Sequence, residues 1–156
     1  MTPAATTGEV QSDVGAVALA WWNELQENLG DRAELRRCST ADEVAFCPAC
    51  HALLHQLQQA GVNSAESVAV LAGLLSHVRE NDDSNSFPAQ MASAKGDKAA
   101  VSGLRFRRLL TFTDRKDLFN PLIRAIALVD GRANIPALTR GILYWGKRTR
   151  KRWAYE

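Results

Sequence analysis

Apolar residues recur along this chain mostly three or four positions apart. Val14, Val17, Trp21 and Leu25 form one such series, flanked by Ala18, Trp22 and Leu29, the spacing of one face of an α-helix. Ser12 or Asp13 is placed to cap that helix and Gly30 to stop it. Asp31 is expected to cap a short helix through Arg37, and Ser39 or Thr40 to start another short turn. Pro48 suits the first position of a helix running to Gln59, with Gly61 just past its end. Asn63, with Glu66 three residues on, is placed to cap a helix bearing Val68, Leu71, Leu74, Leu75 and Val78.

The pattern then breaks. Residues 80–98, E-N-D-D-S-N-S-F-P-A-Q-M-A-S-A-K-G-D-K, are polar or small and carry Pro88 and Gly96, which predicts a mobile loop pinned locally by Phe87 and Met91. Beyond it Phe106, Leu109 and Leu110 share a helical face from which Arg105, Arg107 and Arg108 project away. Asp114 can cap a helix with Leu118, Leu122, Ile126 and Val129 as its stripe, kinked or restarted at Pro121. Asn134 can cap another, with Pro136 in its first turn. Sustained alternation is absent, so the expected fold is all-α: a compact helical bundle of two lobes joined by a polar loop. The expected divisions are a disordered N-terminus over 1–11, a helical lobe over 12–80, a linker over 81–98 and a second helical lobe over 99–156.

With 46% apolar and 23% charged residues among 156, the composition excludes wholesale disorder. Net charge divides unevenly. Residues 1–94 hold four basic and twelve acidic residues, a net of −8, and residues 95–156 hold fifteen and five, a net of +10. Such asymmetry points to a polyanion on the C-terminal side. The first residues lack a basic, apolar leader and no apolar run reaches the ~18 residues of a membrane helix, so the expected location is the cytoplasm, with all three cysteines reduced.

Enzyme signatures such as a Walker loop, G-x-G-x-x-G, H-E-x-x-H or G-x-S-x-G do not occur, and the expectation is that the chain is not an enzyme. The segment C-P-A-C-H, Cys47 to His51, matches a haem c attachment pattern, and Cys47, His51 and His55 fall on one helical face with Cys38 as a possible fourth zinc ligand. A second C-x-x-C pair is missing, so the favoured reading is core cysteines and no metal or other cofactor. A helical metal-binding protein using Cys47, Cys50, His51 and His55 stands as one alternative. A stand-alone DNA-binding regulator built on residues 99–130 is another.

The C-terminal segment carries more. Placed on a single helix with Trp145 at zero, Leu138, Ile142, Thr149 and Trp153 fall between about 20° and 80°, while Lys147, Arg148, Arg150 and Lys151 fall between about 140° and 300°. One face is thus apolar and the other basic, which a disordered tail would not need. Such a face is suited to salt-sensitive, sequence-independent contact with phosphates. Arg107, Arg108, Arg124 and Arg140 extend it from neighbouring helices.

The order of W-W-x-x-L, R-A-E-L-R-R, R-F-R-R-L-L and I-P-A-L-T-R-G-I-L-Y-W-G-K-R-T-R-K-R-W-A resembles the small subunit, the CasB family, of the type I-E CRISPR Cascade complex. The resemblance runs from about Val14 to Tyr155. It implies an all-helical, non-catalytic subunit serving antiviral defence. The implied partners are CRISPR RNA, target DNA, the Cascade large subunit, the repeated backbone subunits and a second copy of the chain. It also implies stabilisation of the target DNA R-loop, with Lys147, Arg148 and Arg124 placed by the matching segments. Arg107, Arg108, Arg150 and Lys151 join them from charge geometry.

Overall fold

α1 (Pro3–Glu27) is the longest helix of the structure, a computed structural model that describes residues 3–156, with side chains from Val14 onward. It begins at Pro3, inside the stretch 1–11 expected to be disordered, and Ser12 and Asp13 lie within it rather than at its cap. Pro at the first helical position loses no hydrogen bond, because that N–H has no intrahelical partner. Val14, Ala18, Trp21, Trp22 and Leu25 are buried. Both indoles are tied as well as packed: Trp21 Nε1–H donates to Ala49 O and Trp22 Nε1–H to Val78 O, each at 3.0 Å.

α2 (Leu29–Arg37) and α3 (Ala41–Val44) follow. α2 starts before the expected Asp31, which lies in its first turn, and Asn28 holds the cap position. Thr40 caps α3 as expected, accepting from the Glu43 N–H at 3.2 Å. α4 (Pro48–Gln59) has the predicted bounds, and Gly61 beyond it takes a left-handed φ of 92°. α5 (Ala65–Ser76) is capped by Ser64 rather than Asn63; the Ser64 hydroxyl accepts from the Ser67 N–H at 3.2 Å. The Asn63–Glu66 spacing that suggested a capping box is therefore one residue out of place.

Every residue of α5 from Ser67 to Ser76 is buried. A helix apolar on all sides belongs inside a bundle, and α5 packs against α2, α3 and α4 before it and against α8 and α9 after it. α1 also packs along α9. The two lobes therefore share one core.

The connecting segment is more ordered than its composition suggests. Ser86 caps α6 (Phe87–Ala92), accepting from the Ala89 N–H at 3.3 Å, and Phe87 and Met91 are fully buried. Two-residue strands β2 (Ala94–Lys95) and β3 (Lys98–Ala99) pair antiparallel around Gly96, while β1 (Glu80–Asn81) pairs parallel with β4 (Arg132–Ala133). Gln90 is buried and joins both sides: its Nε2 donates to Asp82 O at 2.7 Å and its Oε1 accepts from Asn134 N at 2.9 Å. A loop expected to be mobile is thus stitched to the C-terminal half by backbone groups that the side-chain pattern does not register.

α7 (Gly103–Leu109) is capped by Ser102, and α8 (Arg115–Leu128) by Asp114 as expected. α8 runs through Pro121 without restarting. α9 (Ile135–Leu143) has the expected Asn134 cap, and α10 (Lys147–Tyr155) ends the fold. Among the described residues no helix is long and apolar enough to cross a membrane.

Candidate nucleic-acid interface

The last segment is two helices, not the single one its periodicity suggests. α9 stops at Leu143 and α10 starts at Lys147, with Tyr144, Trp145 and Gly146 between them. Glycine is a poor helix former, and Gly146 takes an extended conformation at the cap position of α10. The carbonyls left open at the end of α9 are met by one side chain from α8. Arg115 donates from Nε to Ile142 O at 2.7 Å, and from Nη2 to Leu143 O at 3.0 Å and Trp145 O at 3.3 Å. A guanidinium at a helix C-terminus also meets the favourable end of its dipole.

Despite the break, Leu138, Ile142, Thr149 and Trp153 are all buried. Trp145 and Trp153 meet edge to face with ring centroids 5.1 Å apart, and Phe87 packs on Trp153 at 6.0 Å. Such aromatic pairs add to simple area burial. Trp145 Nε1–H donates to Phe112 O at 2.8 Å, and the Thr149 hydroxyl donates to Tyr144 O at 2.7 Å. Trp153 lies so close over α9 that a Cβ on Gly141 would stand 2.7 Å from its Cζ2. α10 is therefore seated by two indoles and a glycine.

Its opposite side is basic. Lys147, Arg148 and Lys151 are exposed, and among the described residues none of them is ion-paired. Arg152, at the edge of the stripe, is exposed and pairs with Glu156 at 3.9 Å. Arg150 differs from the expectation that it belongs to the free face. It is half-buried and donates from Nη1 to Leu110 O at 3.3 Å, tying α10 to the end of α7.

α7 and α8 enclose a groove of about 490 Å³. Arg108 and Arg124 line it together with Arg105, against an apolar floor that includes Phe112, Pro121 and Leu128. The charged groups lining it are all guanidiniums. Arg107 is exposed on another side of α7, with its guanidinium turned back toward Gly103. Sequence reasoning assigned Arg107 and Arg108 alike and passed over Arg105. The i,i+3 spacing of Arg105 and Arg108 was the available signal for a shared face. Arg115 was missed for a different reason, since its carbonyl partners lie 27 to 30 residues away.

The C-P-A-C-H segment does not assemble a metal site. Cys47 and Cys50 are buried, whereas His51 and His55 are exposed and bond elsewhere: His51 Nε2 lies 2.8 Å from Ala45 O, and His55 Nε2 lies 3.4 Å from Gln59 Nε2. Among the described residues no three His, Cys, Asp or Glu side chains converge as ligands. Burial, then hydrogen bonding with Glu34 and Cys38, pushes the Cys47 thiol up to about 12, and burial pushes Cys50 to about 11. In the helix pair over 99–130, α8 buries Leu118, Phe119, Leu122, Ala125 and Ile126 in the core, while α7 leaves Arg105, Arg107 and Arg108 exposed.

No curated protein matches the chain. Among solved structures, a chain in the crystal structure of E. coli Cascade bound to a PAM-containing dsDNA target superposes with a TM-score of 0.69 and 23% identity, over 88% of this chain and 91% of that one. At that identity the likeness establishes the shared fold. The model of the family described as CRISPR-associated protein Cse2 matches residues 31–156. That match takes in most of α2 and all of α3 through α10, including the indole-seated basic helix and the arginine-lined groove, and the chain belongs to the CRISPR-associated Cse2 family.

Proposed function

We propose that this chain is a non-catalytic subunit of a type I-E CRISPR RNA-guided Cascade complex, acting in the cytoplasm in antiviral defence. In this reading it holds nucleic-acid backbone and stabilises the target DNA R-loop and the CRISPR RNA. Its partners are then those nucleic acids, the large subunit, the repeated backbone subunits and a second copy of itself. The observation that carries the reading is the set Lys147, Arg148 and Lys151, exposed, without ion pairs among the described residues, and displayed on a helix locked by Trp145 and Trp153. The groove bearing Arg108 and Arg124 adds a second line of positive charge, and Arg107 lies nearby on α7.

The energetics suit such a role. Exchanging a DNA duplex for an RNA–DNA duplex of similar stability is nearly balanced, so a few phosphate contacts suffice to tip it. Those contacts must ignore sequence, because pairing with the guide supplies specificity. Rigidly held Lys and Arg meet both demands. Arg150 supports the surface from beneath rather than lying free upon it.

The test is the double variant Lys147→Glu/Arg148→Glu in the assembled complex, with target binding measured across salt concentrations. Each lost phosphate contact flattens the log–log salt slope by about 0.7 for single strands to about 0.9 for duplex, so the expected change is about 1.4 to 1.8 with weaker binding at every salt. Unchanged affinity together with an unchanged slope would remove these two residues from the interface.

A further inference from the structure

A second group of cations gathers in the acidic half. Arg32 and Arg36 stand four residues apart on α2 and so share a face. α2 packs across α5, whose C-terminal end carries His77, with Arg79 two residues on. The backbone N–H of Arg79 donates to Gly131 O at 2.7 Å, and its aliphatic stem lies flat against Gly131. Gly131 has a left-handed φ of 75°, and a Cβ there would come within 2.8 Å of Arg79 Cγ and Cδ. The route of the side chain therefore depends on glycine at that turn. The proximity has an electrostatic signature: burial, then Arg36 and Arg79, lowers the Arg32 pKa, and burial, then Arg36 and Arg32, lowers that of His77.

Surface arginines usually have a carboxylate at hand, and this half of the chain has an excess of them. Yet among the described residues Arg32, Arg36 and Arg79 form no ion pair. Among the described residues Arg32 Nε and His77 Nε2 are buried with no hydrogen-bond partner, a condition that native structures seldom leave unanswered. The C-terminal end of α5 supplies only roughly half a negative charge, too little for three guanidiniums. A shallow groove of about 310 Å³ runs along α2, lined by Leu29, Arg32, Ala33, Arg36 and Arg37.

We propose that Arg32, Arg36, Arg79 and His77 form a binding site for a phosphate group, separate from the basic face of the C-terminal helices. Phosphate suits this corner better than carboxylate. Its oxygens are arranged tetrahedrally and can accept from donors arriving from α2 on one side and from the end of α5 on the other. A carboxylate holds its two acceptor oxygens in one plane with carbon, and so meets donors arriving from two separate elements less well. The phosphate can come from a nucleic-acid backbone or from a small free anion, and the site does not depend on the C-terminal interface proposed above.

The test uses the full chain and the ring resonances of its three histidines. Inorganic phosphate and a short single-stranded DNA oligonucleotide are titrated separately. The His77 signals are expected to shift saturably and its pKa to rise on binding, since a bound anion favours the imidazolium, while His51 and His55 stay unmoved. Arg36→Gln, at an exposed helix position, should leave the fold intact and weaken binding about tenfold, one charge-assisted hydrogen bond's worth. Saturation by the oligonucleotide at far lower concentration than by phosphate, persisting in the Lys147→Glu/Arg148→Glu background, assigns the phosphate to a strand. Saturation by inorganic phosphate alone assigns it to a small anion. A His77 signal indifferent to both probes, or a response in Arg36→Gln equal to that of the wild type, would overturn the site.

Discussion

The seat of α10 predicts that one substitution changes sign with its background. A methyl group added at Gly141 would stand 2.7 Å from Trp153 Cζ2 and 3.3 Å from Cε2. Carbon atoms in good contact sit about 3.5–4.0 Å apart, so the indole must retreat by roughly 1 Å. It has no room, being 2% exposed and wedged between Trp145 and Phe87. Overpacking of this kind costs about 1–3 kcal/mol, whereas Gly→Ala within a helix returns up to about 1 kcal/mol. Gly141→Ala should therefore lie between neutral and about 2 kcal/mol destabilising. In a Trp153→Leu background the clashing ring is gone, and the same substitution should stabilise by up to about 1 kcal/mol. Chemical denaturation of the four proteins closes the cycle, with an expected coupling of about 1–3 kcal/mol between the two positions. If alanine stabilises both backgrounds equally, α10 is not seated on α9 through Gly141, and the rigidity claimed for Lys147 and Arg148 loses its basis.

Two further outcomes follow from buried groups. Arg115→Ala removes three donations to the end of α9 and should cost about 2–3 kcal/mol, lowering Tm by roughly 4–12 °C and speeding amide exchange across Lys147–Tyr155; unaltered exchange there would show that the cap is dispensable. The thiols predict a loss of stability in alkali: an unfolded cysteine ionises near ~8.5, while Cys47 is pushed up to about 12 and Cys50 to about 11. Above the unfolded value the unfolded chain releases protons that the folded one keeps, so stability falls as pH rises toward the folded values. Cys47→Ala should flatten that decline relative to the wild type, as read by denaturation at pH 7 and pH 10, and an identical pH dependence in the variant would contradict the buried, protonated thiol.

How much was legible depended on how local the deciding interaction is. The Thr40, Asp114 and Asn134 caps, and Pro48 opening α4, act within a few residues and were read correctly. Errors of one to three residues at Asn63 and Asp31 arose because several polar residues compete for the same turn. The segment 80–98 misled because its order rests on backbone pairing of β1 with β4 and on Gln90, whose partners Asp82 and Asn134 lie 8 and 44 residues away. The continuous helix expected across Trp145 failed because Arg115, distant in sequence, supplies the donors that let α9 end.

The order of apolar and polar positions was enough by itself to determine an all-helical chain with a basic C-terminal face, because side-chain periodicity is a local property of the backbone. Which cations stay free was decided only by the tertiary structure. Lys147, Arg148 and Lys151 face outward, Arg108 and Arg124 line one groove, and Arg150 and Arg115 turn inward to carbonyls. Tertiary packing likewise lays α2, with Arg32 and Arg36, across α5, which ends at His77. Charge is fixed by residue type, but whether a guanidinium meets a carbonyl, a carboxylate or solvent depends on what the fold sets beside it.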